Sequence, residues 1–257
     1  MKRISIVAIL FLAVFASCKK DDAVEQPIKN NDSTNHSGNT QTLAFKFSHT
    51  SGNSALILNT TLTDTSGRMF SLSDFRYYIS NIVLIKDDGS EMYLTGKVLL
   101  VDVQQPDYTL GQVPIGHYKG FRFMVGIDSV TNHSDPALYP SSSPLSYQPN
   151  TMHWGWNVGY IFMKAEGLAD TSFIPSGTLN GTLSYHLGTD ELARIIDFSQ
   201  HSFTVTESAA AVINLKFDFQ KMLSGVDLQS ENVTHTLPRT GLENKLADNW
   251  LTSFSVQ

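Results

Sequence analysis

The fold class of this chain is decided by the segment Phe75-Arg76-Tyr77-Tyr78-Ile79-Ser80-Asn81-Ile82-Val83-Leu84-Ile85. Most of its side chains are aromatic or β-branched, and such residues favour the extended conformation of a strand. The residues Asp87-Asp88-Gly89-Ser90 that follow it are typical of a tight turn. The segment therefore predicts a long β-strand that is closed by a turn.

Flanking segments repeat the pattern of a strand. Leu43, Phe45, Phe47 and His49 alternate with polar or small residues, which is the period of a half-buried strand. The range 209–219 alternates in the same way. Further strands are predicted at 98–103, 117–127, 158–165, 178–187, 194–198 and 202–206. Helix is predicted only near 219–223 and in the tail at 242–253.

Short strands separated by Gly, Pro, Asn and Asp predict an all-β fold, namely an antiparallel β-sandwich or barrel-like domain with long loops and a short C-terminal helix. The range 42–257 is long enough for one domain with a sizeable core. The stretch from Asn132 to Pro149 contains four prolines, which exclude it from a central sheet. It is therefore predicted to be a long loop that leads to Met152.

The N-terminus predicts export. Lys2 and Arg3 precede an apolar run that is too short to span a bilayer as a helix, and this order is typical of a signal peptide over residues 1–17. The residues Phe15-Ala16-Ser17-Cys18 resemble a lipobox, with Cys18 as the residue that receives the lipid. The alternative is an ordinary secretory signal with a coincidental cysteine.

The residues after Cys18 predict where the protein is held. Lys19-Lys20-Asp21-Asp22 resembles the sorting signal of surface lipoproteins in the Bacteroidetes. The range 18–41 is too polar to fold by itself and is predicted to be a disordered tether. We therefore expect an outer-membrane lipoprotein that is held to the membrane by its lipid anchor and is periplasmic or surface-exposed.

Composition and motifs exclude several functions. The formal charge is −6 and no basic cluster is present, so binding to nucleic acid is not expected. The chain lacks G-x-S-x-G, a glycine-rich phosphate loop and H-E-x-x-H, and its single cysteine is assigned to the lipid. No pair of carboxylates is distinguished by its spacing. We therefore expect a protein that is not an enzyme.

The segment Met152-His153-Trp154-Gly155-Trp156 is the richest in chemistry. In an extended segment Met152, Trp154 and Trp156 would point to one face and His153 to the other. Such a set is either the apolar core of a sandwich or part of a soft-metal site. Because no cysteine is available, a metal would be held by imidazole and thioether groups, which suit copper in particular.

The histidines differ in their context. His49 closes the apolar face of the first strand, where an imidazole can be partly buried and still reach a site. His186 alternates with polar residues, which predicts exposure. His117, His133 and His201 have no companion features and are expected to be surface or structural residues.

Taken in order, five segments resemble the signatures of the MbnP-like copper-binding proteins. Most specific is the block Met-x-Trp-x-Trp-x-x-Gly-Tyr at 152–160 with the trailing Glu166-Gly167. The other segments are Phe75 to Ile82, Val113 to Tyr118, Phe123 to Asp128 with Asn132, and Tyr185 to Gly188. The similarity covers most of residues 43–256.

The resemblance implies an exported β-sandwich that binds copper through histidines, with help from a tryptophan oxidised to kynurenine. It also implies a partner, a di-haem cytochrome c peroxidase-like protein that performs the oxidation. Trp154 and Trp156 match the paired tryptophans, and one of them is the candidate for oxidation. His49 and His186 match family histidines, and His235 is a secondary candidate. Met152 fits as a soft ligand or as a hydrophobic wall.

The sequence thus predicts copper uptake, storage or handling by binding without turnover. Ligation by neutral imidazoles further predicts an affinity that falls as the pH drops through about 6.5. The alternative is a surface β-sandwich that binds carbohydrate or protein through an aromatic patch formed by Trp154, Trp156 and nearby tyrosines. Flat, exposed indoles far from any histidine would favour this alternative, whereas an indole edge beside two imidazoles would favour metal.

Overall fold

A computed structural model describes residues 38–147, 152–155, 158–235 and 240–257. The predicted signal peptide (1–17), Cys18, most of the tether (18–41) and Trp156 lie outside these ranges. The first strand starts at Thr40, near the predicted start of the domain. Within the described ranges, no helix combines the length and the apolar character needed to cross a membrane.

The described residues form fifteen strands, three α-helices and two 3-10 turns. The strands are β1 (Thr40–Ser51), β2 (Ser54–Ala55), β3 (Leu62–Thr63), β4 (Met69–Lys86), β5 (Glu91–Tyr93), β6 (Leu99–Asp102), β7 (Asp107–Pro114), β8 (Gly116–Val125), β9 (Ile161–Ala169), β10 (Gly181–Gly188), β11 (Arg194–Phe198), β12 (Phe203–Val205), β13 (Ala211–Asp218), β14 (Val233–Thr234) and β15 (Phe254–Val256). The helices are α1 (Ser129–Asn132), α2 (Phe219–Met222) and α3 (Leu242–Ser253), and the 3-10 turns are Pro136–Leu138 and Asp190–Leu192.

The strands make two sheets. The smaller sheet has the order β15-β13-β1-β2, and β7 also pairs with β1. The larger sheet has the order β11-β8-β4-β9-β10-β14, while β12 adds to β8, and β3, β5 and β6 add to β4. The buried aromatic residues of the two sheets meet between them, as where Phe75 packs 5.2 Å from Phe217. The prediction of an all-β sandwich is confirmed.

The expectation of purely antiparallel pairing is wrong at two places. β1 pairs with β13 in parallel, and so does β10 with β14. A parallel pair needs a long connection between its strands, and the connection between β1 and β13 contains β2, β7 and every strand of the larger sheet except β14. Short-range alternation carries no information about such a distant partner.

β4 contains the segment that predicts the fold, and it is buried on both faces from Phe75 to Ser80. On the inner face Tyr77 packs against Phe217 of the smaller sheet. On the outer face the Tyr78 hydroxyl donates to the carbonyl oxygen of Pro144 at 2.9 Å. The long predicted loop is therefore the cover of the outer face, and this explains why the apolar run in β4 does not alternate.

The predicted C-terminal helix is confirmed as α3. Its Leu246, Ala247 and Trp250 are fully buried in the core. The buried carboxylate of Glu243 accepts hydrogen bonds from the backbone N–H groups of Thr240 and Gly241 at 3.2 Å. These bonds satisfy donors at the start of the helix that have no partner within it.

Candidate metal site

The outer face of the larger sheet carries two rows of polar side chains across β4, β9 and β10. Strand register places Arg76 opposite Lys164, and Lys164 opposite His186. The second row joins Asp74, Glu166 and Ser184. Since side chains alternate along a strand, these residues point away from the interior that their buried neighbours face.

The first row carries the basic side chains and the second row carries the carboxylates, so opposite charges face each other between the rows. The ammonium of Lys164, a residue only 5% exposed, lies 3.5 Å from Oδ2 of Asp74 and 3.2 Å from Oε1 of Glu166. The Arg76 guanidinium lies 2.6 Å from the same Oδ2 atom of Asp74. A buried lysine needs such compensation, because desolvation of an unpaired charge is costly.

Two histidines meet at the end of this network. The parallel pairing of β14 with β10 brings His235 beside His186, with ring centroids 4.5 Å apart. The hydroxyl oxygen of Ser184 lies 3.5 Å from Nε2 of His186 and 3.4 Å from Nε2 of His235. Both Nε2 atoms therefore approach one point on the outer face.

Trp154 lies next to this histidine pair. Its backbone N–H donates to the carbonyl oxygen of Gly159 at 3.0 Å. The backbone N–H of Ile161 donates to the carbonyl oxygen of Met152 at 2.8 Å. The indole covers Gly188 so closely that an added Cβ there would be 2.6 Å from Cζ3 of the indole. Its ring centroid is 6.4 Å from that of His186, at an angle of 44°.

The residues before Trp154 take other positions. Residues 152–155 form no strand beyond an isolated bridge between His153 and Tyr160, so strand alternation does not place their side chains. Met152 is only 1% exposed and belongs to the hydrophobic core. This position fits the predicted role of a hydrophobic wall better than that of a soft metal ligand. The His153 ring packs 4.7 Å from Tyr160, and its Nδ1 accepts the N–H of Gly155 at 3.0 Å.

His49 lies away from this cluster. Its Nε2 is 3.0 Å from the Tyr77 hydroxyl, between the two sheets, and the residue is 8% exposed. Tyr77 and Arg76 are neighbours in β4 and point to opposite faces, so His49 and His186 lie on opposite sides of the larger sheet. The structure brings His186 and His235 together, and it does not bring His49 to them.

Burial controls the protonation of these histidines. Desolvation lowers the pKa of His49 to about 4. For His186 desolvation also lowers the pKa, and this effect outweighs the hydrogen bond to Glu166, which raises it. A lowered pKa keeps the His186 imidazole neutral at neutral pH, which is the form that binds metals.

Of the polar groups at this site, only the imidazoles of His186 and His235 are suitable ligands for copper. In the part of the chain that the structure describes, no group of three or more His, Cys, Asp or Glu side chains could hold a metal ion. Glu166 is close to the pair, but the Lys164 ammonium already contacts its carboxylate. Imidazole is a preferred ligand of copper, so His186 and His235 match the expected chemistry.

Sequence reasoning did not assign Glu166, Lys164 and Ser184 to the site. A signal was present, because Lys164 and Glu166 interrupt an apolar strand at alternate positions. Charges placed in this way on a central strand indicate a covered polar network rather than a solvated face. Their partners on β4 and β10 follow only from strand register.

The surroundings of Trp154 bear on the alternative function, in which exposed tryptophans bind carbohydrate or protein. The residue is half-buried and packs against the core. Its indole lies beside a histidine instead of standing flat and exposed. The geometry at Trp154 therefore favours the metal interpretation over a stacking platform.

The fold and the site define a class: a two-sheet β-sandwich with a histidine pair and a tryptophan on the outer face of its larger sheet. The sequence profile of the MbnP family matches residues 40–237. This chain belongs to the MbnP family.

One solved structure of the family is similar. The chain resembles MbnP from Methylosinus trichosporium with a TM-score of 0.55 and 18% identity, over 74% of this chain and 80% of that chain. At this identity the likeness shows a shared fold and nothing finer. No curated protein matches the chain in sequence.

Proposed function

We propose that this protein is an exported, lipid-anchored copper-binding protein that serves copper uptake, storage or handling. The observation that carries the proposal is the pairing of His186 and His235, whose rings are 4.5 Å apart. Both rings also lie beside the Ser184 hydroxyl, so a single ion could be reached from one nitrogen of each ring. Membership of the MbnP family supports copper as the metal.

In this proposal the two neutral imidazoles hold the metal and no reaction is turned over. Copper bound there supplies a soft cation with two oxidation states. Glu166 accepts a hydrogen bond from Nε2 of His186 and orients the ring, so Nδ1 is the nitrogen of this ring that would hold the metal; carboxylates bond in this way to the other ring nitrogen of many metal-binding histidines. His49 and Met152 contribute to the core instead.

Trp154 or Trp156 is the proposed site of oxidation to kynurenine by a di-haem cytochrome c peroxidase-like partner. Unmodified indole offers only an N–H donor and is a poor ligand. Kynurenine has an aniline nitrogen and a ketone, which can accept a metal or a hydrogen bond. The position of Trp154 beside His186 supports this assignment.

A copper titration tests the proposal. The full chain is purified, loaded with Cu(I) or Cu(II), and compared with His186→Ala and His235→Ala. His117→Ala is the matched control, because His117 is half exposed and pairs with Asp87 at 3.0 Å, away from the pair. We expect loss of stoichiometric copper in both site variants and none in the control.

The modification is tested on protein from its native host. Peptide mass spectra should show loss of one carbon and gain of one oxygen in a tryptophan at position 154 or 156, with copper in the same sample. Absence of copper binding in the titration would reject the function itself. Unmodified tryptophans in a protein that binds copper would reject only the role of kynurenine.

A further inference from the structure

The loop between β9 and β10 presents two large apolar side chains to solvent. Phe173 is 85% exposed and Ile174, its neighbour, is 74% exposed. No charged residue occurs between Thr171 and Tyr185. We call Phe173 and Ile174 the apolar tip.

The apolar tip is held in place by hydrogen bonds at the base of the loop. The buried carboxylate of Asp170 accepts from the backbone N–H groups of Ser172, Ser176 and Gly177, at 3.0, 2.6 and 2.7 Å. Burial opposes ionisation of Asp170, but these bonds outweigh it and hold its pKa well below the usual range.

A buried arginine fixes the same loop from the other side. One nitrogen of the Arg68 guanidinium donates to the carbonyl oxygens of Asp170 and Ser172, at 3.0 and 2.7 Å. The loop is therefore ordered before anything binds to it. An ordered loop loses little conformational entropy when its apolar side chains become buried.

We propose that the apolar tip inserts into the interface of the lipid bilayer to which the chain is anchored. Adjacent aromatic and aliphatic side chains in an uncharged loop suit the boundary between headgroups and acyl chains. A charged loop would resist this transfer. The inference rests on the proposed lipid anchor at Cys18 and does not depend on the copper site.

The anchor makes a weak insertion sufficient. Once one point of the chain is held at the membrane, docking of a second point becomes intramolecular, with an effective concentration that is millimolar for short flexible linkers. Two side chains then orient the domain, although they would not bind a free protein to a membrane. This argument favours the bilayer over a soluble partner.

The chain before β1 is long enough for this orientation. The loop lies beside Met69, whose carbonyl accepts the N–H of Asp170 at 2.8 Å, and Phe70 packs on Phe219 near the end of β1. Thr40 is at the opposite end of β1, and a twelve-residue strand spans about 40 Å. Residues 19–39 can extend to about 70 Å, so they exceed this distance.

Quenching of tryptophan fluorescence by brominated lipid tests the proposal. The lipidated full chain is reconstituted into phosphatidylcholine vesicles, with and without brominated acyl chains, as Phe173→Trp. Tyr93→Trp is the matched control, because Tyr93 is 62% exposed and pairs with Val83 near the far end of β4. The emission of the three native tryptophans is subtracted in both cases.

We expect brominated lipid to quench the emission added at position 173 and to leave that added at position 93 nearly unchanged, because only the apolar tip reaches the acyl boundary. Equal quenching at both positions, or none at 173, would overturn the proposal. In the second case a partner protein would remain as the occupant of the apolar tip. Flotation of the wild type but not of Cys18→Ala reports on the anchor, and copper titration reports on the metal site, so each failure is distinguishable.

Discussion

Glu166 and His186 are joined across the β9–β10 pair, with Oε1 of the carboxylate 2.8 Å from Nε2 of the imidazole. Lys164 holds the same oxygen at 3.2 Å, so the carboxylate cannot turn freely toward solvent. The charged rows on the outer face therefore fix the orientation of a histidine that also contacts His235. A carboxylate in this position supports a ligand without being one.

The Glu166–His186 bond leads to a prediction for copper affinity. Glu166→Gln keeps the shape of the side chain and removes its charge, so it should weaken copper binding by about 10- to 100-fold, as loss of such outer partners typically does. Affinity is measured by competition with a copper chelator. Glu91→Gln, which removes a carboxylate paired with Arg122 elsewhere, should leave affinity unchanged. Equal affinity of Glu166→Gln and the wild type would show that Glu166 does not support the site.

The interior position of His49 predicts a pH-dependent stability. Its pKa is about 4 in the folded chain and about 6.5 when unfolded, so between these values only the unfolded chain binds the proton. The contribution of His49 is therefore fully present above about pH 6.5 and is lost as the pH falls to about 4, by about 3 kcal/mol in total.

Urea unfolding at several pH values checks this. His49→Phe should be less stable near neutral pH, because Tyr77 loses its acceptor, but it should lose less stability than the wild type on acidification. Parallel pH profiles for the two proteins would contradict the assignment. His201→Phe, at an exposed position, serves as the control.

The contact between Trp154 and Gly188 predicts a steric defect. A Cβ at position 188 would meet the carbonyl oxygen of Tyr160 at 2.5 Å and the indole at 2.6 Å. Gly188→Ala should therefore destabilise the fold by about 1–3 kcal/mol and move the indole, with a change in near-ultraviolet circular dichroism. Gly38→Ala has open space around its Cβ and should be silent. An unchanged Tm and spectrum in Gly188→Ala would refute the close packing.

The three N–H donors around Asp170 predict how the β9–β10 loop responds to mutation. Asp170→Asn removes the charge that these donors stabilise, so the loop should open and chymotrypsin should cleave after Phe173 faster than in the wild type. Limited proteolysis followed by mass spectrometry measures the rate. Asp107→Asn, at an exposed position, is the control. Unchanged cleavage would show that the loop does not depend on Asp170.

Local pattern was sufficient for several features. The alternation in 43–49 and the aromatic run of 75–85 predicted strands that became β1 and the centre of β4. Four prolines predicted a long loop outside the sheets, and the tail was predicted as helix. These features depend on neighbours within a few residues, where backbone sterics and side-chain period decide the outcome.

What only the tertiary structure decided is which histidines meet. Alternation correctly put His49 on the apolar face of β1 and His186 on the other parity in β10. The exposure predicted for His186 is wrong, because its side chain is only 12% exposed on a face that other parts of the chain cover. Parity within a strand says nothing about which face another strand presents to it. The parallel pairing of β14 with β10 sets His235 against His186, and the stacking of the two sheets encloses His49 with Tyr77. The sequence by itself determined the strands and the types of donor, whereas pairing between distant segments decided the site, because contacts across a sheet are set by long-range register rather than by local propensity.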